Sequence, residues 1–260
     1  MLKSKTYFSP TRIAVIALFS SLAGVLYVFG FPIAAIFPSW LELNFSDIPA
    51  LIGTFALGPV SGSLIVLFKI LIKLIIKGTS TVFVGELADL LIGLAFVVPA
   101  GIIYKRHRSF KGSLVGMGVG TVASVAVSIL ANYLVLVPFY RQLFFNGSWA
   151  PLVGIMQGIF GEGCTEETFY NFYLWASVLP FNVMRCLIAI IITLPIYKHI
   201  SRVINKLAEK LEIKSAQDET PEQAEARKAK EKKRSVIIVA VSVCVFLLLV
   251  GGVLLRYFLS

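Results

Sequence analysis

Charged and amide side chains stand at helical spacing inside long apolar runs. Lys69, Lys73 and Lys77 recur every four residues in FKILIKLIIK, so they share one helix face. Glu86 and Asp89 stand three apart in GELADLLIG, and Asn182 and Arg185 three apart in LPFNVMRCL. Asn132 and Tyr133 are neighbours in ILANYLVLV. Ionisable groups in an apolar span are costly and mark binding or conduction by default. One reading is internal pairing of Lys73 or Arg185 with Asp89 or Glu86, with lysines reaching to the interface. The other is a polar pocket. Amides beside a cation suit a neutral molecule rich in hydrogen-bonding groups, whereas a permeating ion calls for a ring of like charges or carbonyls. The two readings overlap, because an empty pocket pairs its own charges.

Catalytic chemistry has no machinery in this chain, which reads as non-enzymatic. There is no GxxxxGK[ST] phosphate loop, so the chain carries no ATPase of its own. His107 and His199 stand in basic stretches away from acidic or cysteine partners, and Cys164, Cys186 and Cys244 lack metal-ligand spacing. No metal and no resident cofactor is expected.

The elements that must hold these groups follow from composition. The 260 residues are 57% hydrophobic and 15% charged, against about 25% charged in an average globular chain. Long apolar runs, rather than ~10-residue alternating segments, exclude a barrel and leave an all-α polytopic membrane protein. Helix 1 is expected over about 12–30, too long for the apolar core of a signal peptide, with Pro32 and Pro38 beyond it. From Asp47 to Lys77 the apolar pattern covers about 46 Å of helix, which overshoots a ~30 Å hydrocarbon core. Gly58-Pro59 and Gly62 interrupt it, so a short helix ends near Leu57 and another runs from Val60 to Lys77. Ser46 or Asp47 can cap the short helix, with Pro49 in its first turn. Such interrupted spans point to substrate sites in transporters. Further spans are expected at Val84–Tyr104, Lys111–Pro138 and Val178–Tyr197. The aromatic segment from Phe139 to Ala176 reads as an ordered loop.

Three regions result. Residues 1–200 form a six-helix substrate-binding membrane domain, 201–235 a charged, partly helical linker, and 236–260 an extra transmembrane helix spanning Val236–Leu255. Most of the 24 lysines and arginines fall before helix 1, in YKRHRSFK, or within 198–235. By the positive-inside rule these regions are cytoplasmic, as is the N-terminus, and the C-terminus is extracellular. That orientation places the polar groups of four helices in the outer third of the bundle, beneath loops carrying Trp40, Trp149 and Trp175.

The stretches LELNFSDIPALIGTFALGPVSG, FKILIKLIIKGTST, GELADLLIGLAFVVPAGIIYK, ANYLVLVPFY and LPFNVMRCLIA occur in that order over about residues 12–200. Together they resemble the substrate-binding S component of energy-coupling factor (ECF) vitamin transporters of the bacterial plasma membrane, and most nearly its riboflavin-specific members. The resemblance implies six helices around a pocket near the outer face, capped by loops including the one between helices 1 and 2. It implies that Asn132, Asn182 and Arg185 bond a flavin. The polar layer and its loops add Asp89, Lys73, Tyr133, Asn44 and Trp40 as candidate ligand contacts. The family usually has lysine at the position of Arg185, aspartate at Asn44, Lys-Asn-Leu around Ile70 and often asparagine at Asp89, which leaves FMN or another vitamin as alternative ligands. The resemblance also implies partners: a transmembrane T subunit and two ATPases that use ATP. Docking would occur on small residues of helix 1, here Ala17 and Ser21, which let helices approach closely. A stand-alone ion-coupled secondary transporter and a membrane anchor are the rival classes.

Overall fold

The computed structural model describes residues 10–217; the expected seventh span and the linker beyond 217 lie outside the described residues. Helix α1 (Pro10–Val28) leads into a loop closed by a short antiparallel pairing of β1 (Phe31–Pro32) with β2 (Glu42–Leu43). Then come α2 (Asp47–Leu57), α3 (Pro59–Lys77), α4 (Val84–Arg106) and α5 (Phe110–Ala131). A π segment (Asn132–Leu136) joins α5 without interruption to α6 (Val137–Phe145). Helix α7 (Ala150–Phe160) is separate, and a second π segment (Asn171–Val178) opens α8 (Leu179–Gln217).

Among the described residues, four helical stretches are long and apolar enough to cross a membrane: Pro59–Lys77, Val84–Arg106, Phe110–Phe145 and Asn171–Ile200. Arg12–Val28 and Asp47–Leu57 are apolar but shorter. The brevity of α2 has a packing reason. Its residues from Pro49 to Phe55 are all buried, and it contacts α1, α3, α4 and α8. A helix that is apolar on every side belongs in a core. At about 16 Å long it serves as the central post of the bundle and not as a full span. Gly58, at φ 96°, makes the left-handed turn that ends α2, and Pro59 opens α3.

Helix α5 carries small residues at every fourth position, Gly112, Gly116, Gly120, Ser124 and Ser128, and all are buried. This stripe lets α5 lie close against α4: Ser124 Oγ donates to the Ile92 carbonyl at 3.1 Å, and Asn132 continues the same row. A Cβ built on Gly120 falls 2.3 Å from the Phe96 carbonyl oxygen, a backbone atom that cannot swing away. Gly120→Ala is therefore expected to destabilise the bundle by about 1–3 kcal/mol through overpacking. Gly118→Ala, whose added Cβ meets nothing within 4 Å, should be neutral or slightly stabilising through helix propensity. Thermal melts of the two variants in detergent check the contrast.

Two sequence expectations are corrected. The fifth helix does not stop at Pro138: the π segment precedes it, and the widened turn accommodates a residue that cannot donate to the helix ladder. The segment 139–176 is also largely helical. It completes α6, forms α7 with a proline in its first turn and Gly161 at φ 82° behind it, and begins the second π segment.

Candidate functional site

Most of the polar side chains singled out in the sequence, Lys69 and Tyr133 apart, line one cavity of about 300 Å³ at one end of the bundle, within the ~300–1,000 Å³ range of small-molecule sites. Trp40 and Asn44 come from the α1–α2 loop, Lys73 and Lys77 from α3, and Glu86 and Asp89 from α4. Asn132 lies where α5 passes into its π segment, and Asn182 and Arg185 lie on α8. The basic residues Lys105 and Arg106 in the last turn of α4, Arg108 after it and Lys111 at the start of α5 stand at the opposite end.

Beneath the cavity is a buried ion cluster. Lys69 Nζ donates to Asp47 Oδ1 at 2.7 Å and to Ser46 Oγ at 2.8 Å, and Arg185 Nε stands 3.5 Å from Asp47 Oδ2. Asp47, Lys69 and Arg185 are 2%, 4% and 8% exposed. The expectation that Ser46 or Asp47 caps α2 is corrected. Ser46 occupies the cap position without a side-chain cap bond, because its hydroxyl donates to Asn44 Oδ1 at 2.6 Å while accepting from Lys69. Asp47 is committed to the two cations.

Nearer the mouth, Lys73 pairs with Glu86, whose other oxygen accepts from Thr79 Oγ1 at 3.0 Å and Thr81 Oγ1 at 2.8 Å. Lys77 and Glu42 pair at 3.3 Å on the half-exposed rim, where such a pair contributes about 0–1 kcal/mol. Tyr27 donates to Asp89. Thus each of the cavity lysines has an acidic partner. The α3–α4 loop that lines this side holds Val82 at φ 51° and Phe83 at φ 68°, and left-handed backbone at non-glycine residues concentrates at functional sites.

The wall formed by α5 and α8 has a defined polarity. Asn182 Nδ2 donates to Ser128 Oγ at 2.7 Å and to the Val178 carbonyl at 2.9 Å, so both its hydrogens are used and Oδ1 remains an acceptor. Asn132 is held the other way round. Its Oδ1 accepts from Tyr173 at 2.7 Å, and one Nδ2 hydrogen goes to the Ser128 carbonyl at 2.8 Å, leaving the second as a donor. Arg185 lies one turn beyond Asn182, and its Nε and Nη2 make no hydrogen bond among the described residues. The row Asn132, Asn182, Arg185 reads donor, acceptor, donor.

Of the candidate contacts, Tyr133 does not line the cavity. It is half exposed and packs edge-on against Tyr170. Tyr140 lines the cavity in its place, as does Tyr27. Of the three tryptophans expected over the pocket, only Trp40 is in the lining. Trp149 packs on Phe169 and Tyr170 beneath the Arg141 guanidinium, and Trp175 is exposed. Tyr140 is eight residues on from Asn132 across the π segment, whose phase shift leaves no mark in the sequence.

Fold and site together define an all-α polytopic membrane protein with a polar small-molecule cavity at one end of a bundle wrapped around a short central helix. The chain belongs to the family described as ECF transporter, substrate-specific component, whose sequence model matches residues 11–197. It is 29% identical over 196 residues to the riboflavin transporter RibU of Staphylococcus aureus (strain TCH60), covering 75% of this chain and 93% of that one. It is 26% identical over 182 residues to the riboflavin transporter FmnP of Bacillus subtilis (strain 168), covering 70% of this chain and 87% of that one. A solved structure of the S component of a bacterial ECF transporter superposes with a TM-score of 0.56 at 28% identity, over 74% of this chain and 96% of that one.

Proposed function

We propose that this chain is the riboflavin-binding S component of an ECF-type importer. The observation that carries the reading is the donor–acceptor–donor row of Asn132, Asn182 and Arg185. A cyclic imide, the hydrogen-bonding edge of the isoalloxazine ring, offers the complement: carbonyl, N–H, carbonyl. Two amides and a guanidinium that share the Ser128 neighbourhood and one turn of α8 suit such an edge. The pairing of Lys73 and Lys77 with acids favours a neutral ligand over a phosphorylated one, and the names of the relatives support a flavin.

In this reading the cavity faces outward and the basic end of the bundle is cytoplasmic. The flavin is captured outside and released inside when the protein reorients against a T subunit and two ATPases, which use the ATP. Ala17 and Ser21, both on the exposed side of α1, would be the docking positions. Titration of the detergent-solubilised protein with riboflavin tests the proposal: flavin fluorescence should be quenched with a nanomolar-class constant, about −12 kcal/mol, without partner or ATP. No quenching at micromolar flavin, with another vitamin raising the melting temperature, would reassign the ligand.

A further inference from the structure

Tyr173 lies behind the cavity wall, 2% exposed and absent from the cavity lining. Its ring is fixed by stacking on Phe169, with centroids 5.4 Å apart and planes 19° apart, and by Trp40 at 6.1 Å. Its hydroxyl accepts from Trp40 Nε1 at 3.0 Å and donates to Asn132 Oδ1 at 2.7 Å. The amide is oriented from both sides: the Ser128 carbonyl can only accept and so faces Nδ2, while the phenol, which already accepts from the indole N–H, passes its one hydrogen to Oδ1. With the oxygen held there, the amide nitrogen lies against the Ser128 carbonyl and turns its second hydrogen to the cavity.

Both partners of the Tyr173–Asn132 bond stand on π segments, Asn132 opening one and Tyr173 inside the other. A π turn shifts the helical phase of the residues after it, and such turns recur at functional sites. We infer that Tyr173 is a positioning residue for ligand binding: through its hydroxyl it sets the amide orientation of Asn132 and ties that wall to Trp40 of the α1–α2 loop. What Asn132 shows to the ligand is therefore decided by a residue that the ligand does not touch. The inference rests on the flavin reading above.

A coupling cycle tests it. Tyr173→Phe keeps the ring and removes the hydroxyl, and it should weaken riboflavin binding about tenfold, of the order of one net hydrogen bond. In an Asn132→Ala background the same change should have less than a twofold effect, because nothing remains for it to orient. A purely structural role gives additive losses in the two backgrounds, and that result overturns the inference. So does wild-type affinity in Tyr173→Phe. Should that variant not fold, Trp40→Phe, which removes the first donor of the chain together with part of a ring that lines the cavity, is taken through the same cycle, and only the part of its loss that depends on Asn132 counts. A loss smaller in the Asn132→Ala background supports the relay, and an equal loss in both overturns it. If the wild-type protein itself binds no riboflavin, the flavin reading falls and this inference with it. Normal wild-type binding with additive variants removes the inference alone.

Discussion

Asp47→Ala is expected to cost about 3–5 kcal/mol of stability, the range for removing one partner of a buried ion pair. Asp47 is the carboxylate that Lys69 contacts at 2.7 Å, and it stands 3.5 Å from the Arg185 guanidinium. Its removal leaves two cations that are 4% and 8% exposed without the carboxylate they share. The loss would come chiefly from uncompensated charge and not from lost packing, since aspartate is small. Asp47→Asn separates the two contributions: it keeps the volume and one acceptor for Lys69 but removes the charge, so it should retain most of the destabilisation. Thermal melts of the detergent-solubilised variants measure both. Near-wild-type stability for Asp47→Ala would mean that Lys69 and Arg185 find another counter-ion, Asp89 being the other carboxylate whose charge both feel.

How much of this was legible in the sequence depends on the range of the interaction. In an apolar chain a lysine or an asparagine is conspicuous, and helical spacing with span direction sufficed to bring Lys73, Glu86, Asp89, Asn132, Asn182 and Arg185 to one level. The Gly58-Pro59 break was legible because a glycine at φ 96° and a proline at the start of a helix act locally. Asp47 was misread because its neighbours in SDIP look like a helix start, while its partners Lys69 and Arg185 are on other helices and are chosen by packing. The π segments were not legible at all. A π turn changes phase without changing composition, and Asn132 and Tyr173 each stand on one. Helix α7 left local marks, Pro151 near its start and Gly161 at its end, which the aromatic composition of the segment obscured.

The flavin reading stands on Asn182 and Arg185, and their replacement should produce the largest binding losses. Asn182→Ala and Arg185→Ala are each expected to weaken riboflavin binding by about 1–3 kcal/mol, because each leaves a polar group of the ligand without a partner in a water-poor site. Arg185→Lys should be milder: the charge beside Asp47 remains, though the planar fork is lost. A modified ligand sharpens the test. Both hydrogens of Asn182 are held by Ser128 and Val178, so Asn182 can meet the ligand only as an acceptor, and the imide N–H is the donor it fits. A flavin methylated on that nitrogen should bind the wild-type protein about 100-fold or more weakly than riboflavin, as expected when a site built for a hydrogen bond meets an analogue lacking the donor. In Asn182→Ala the gap between the two ligands should shrink to a few-fold, since the acceptor is gone and the shorter side chain admits the methyl group. Equal wild-type affinity for both ligands would place the imide edge elsewhere in the cavity and withdraw the role assigned to Asn182.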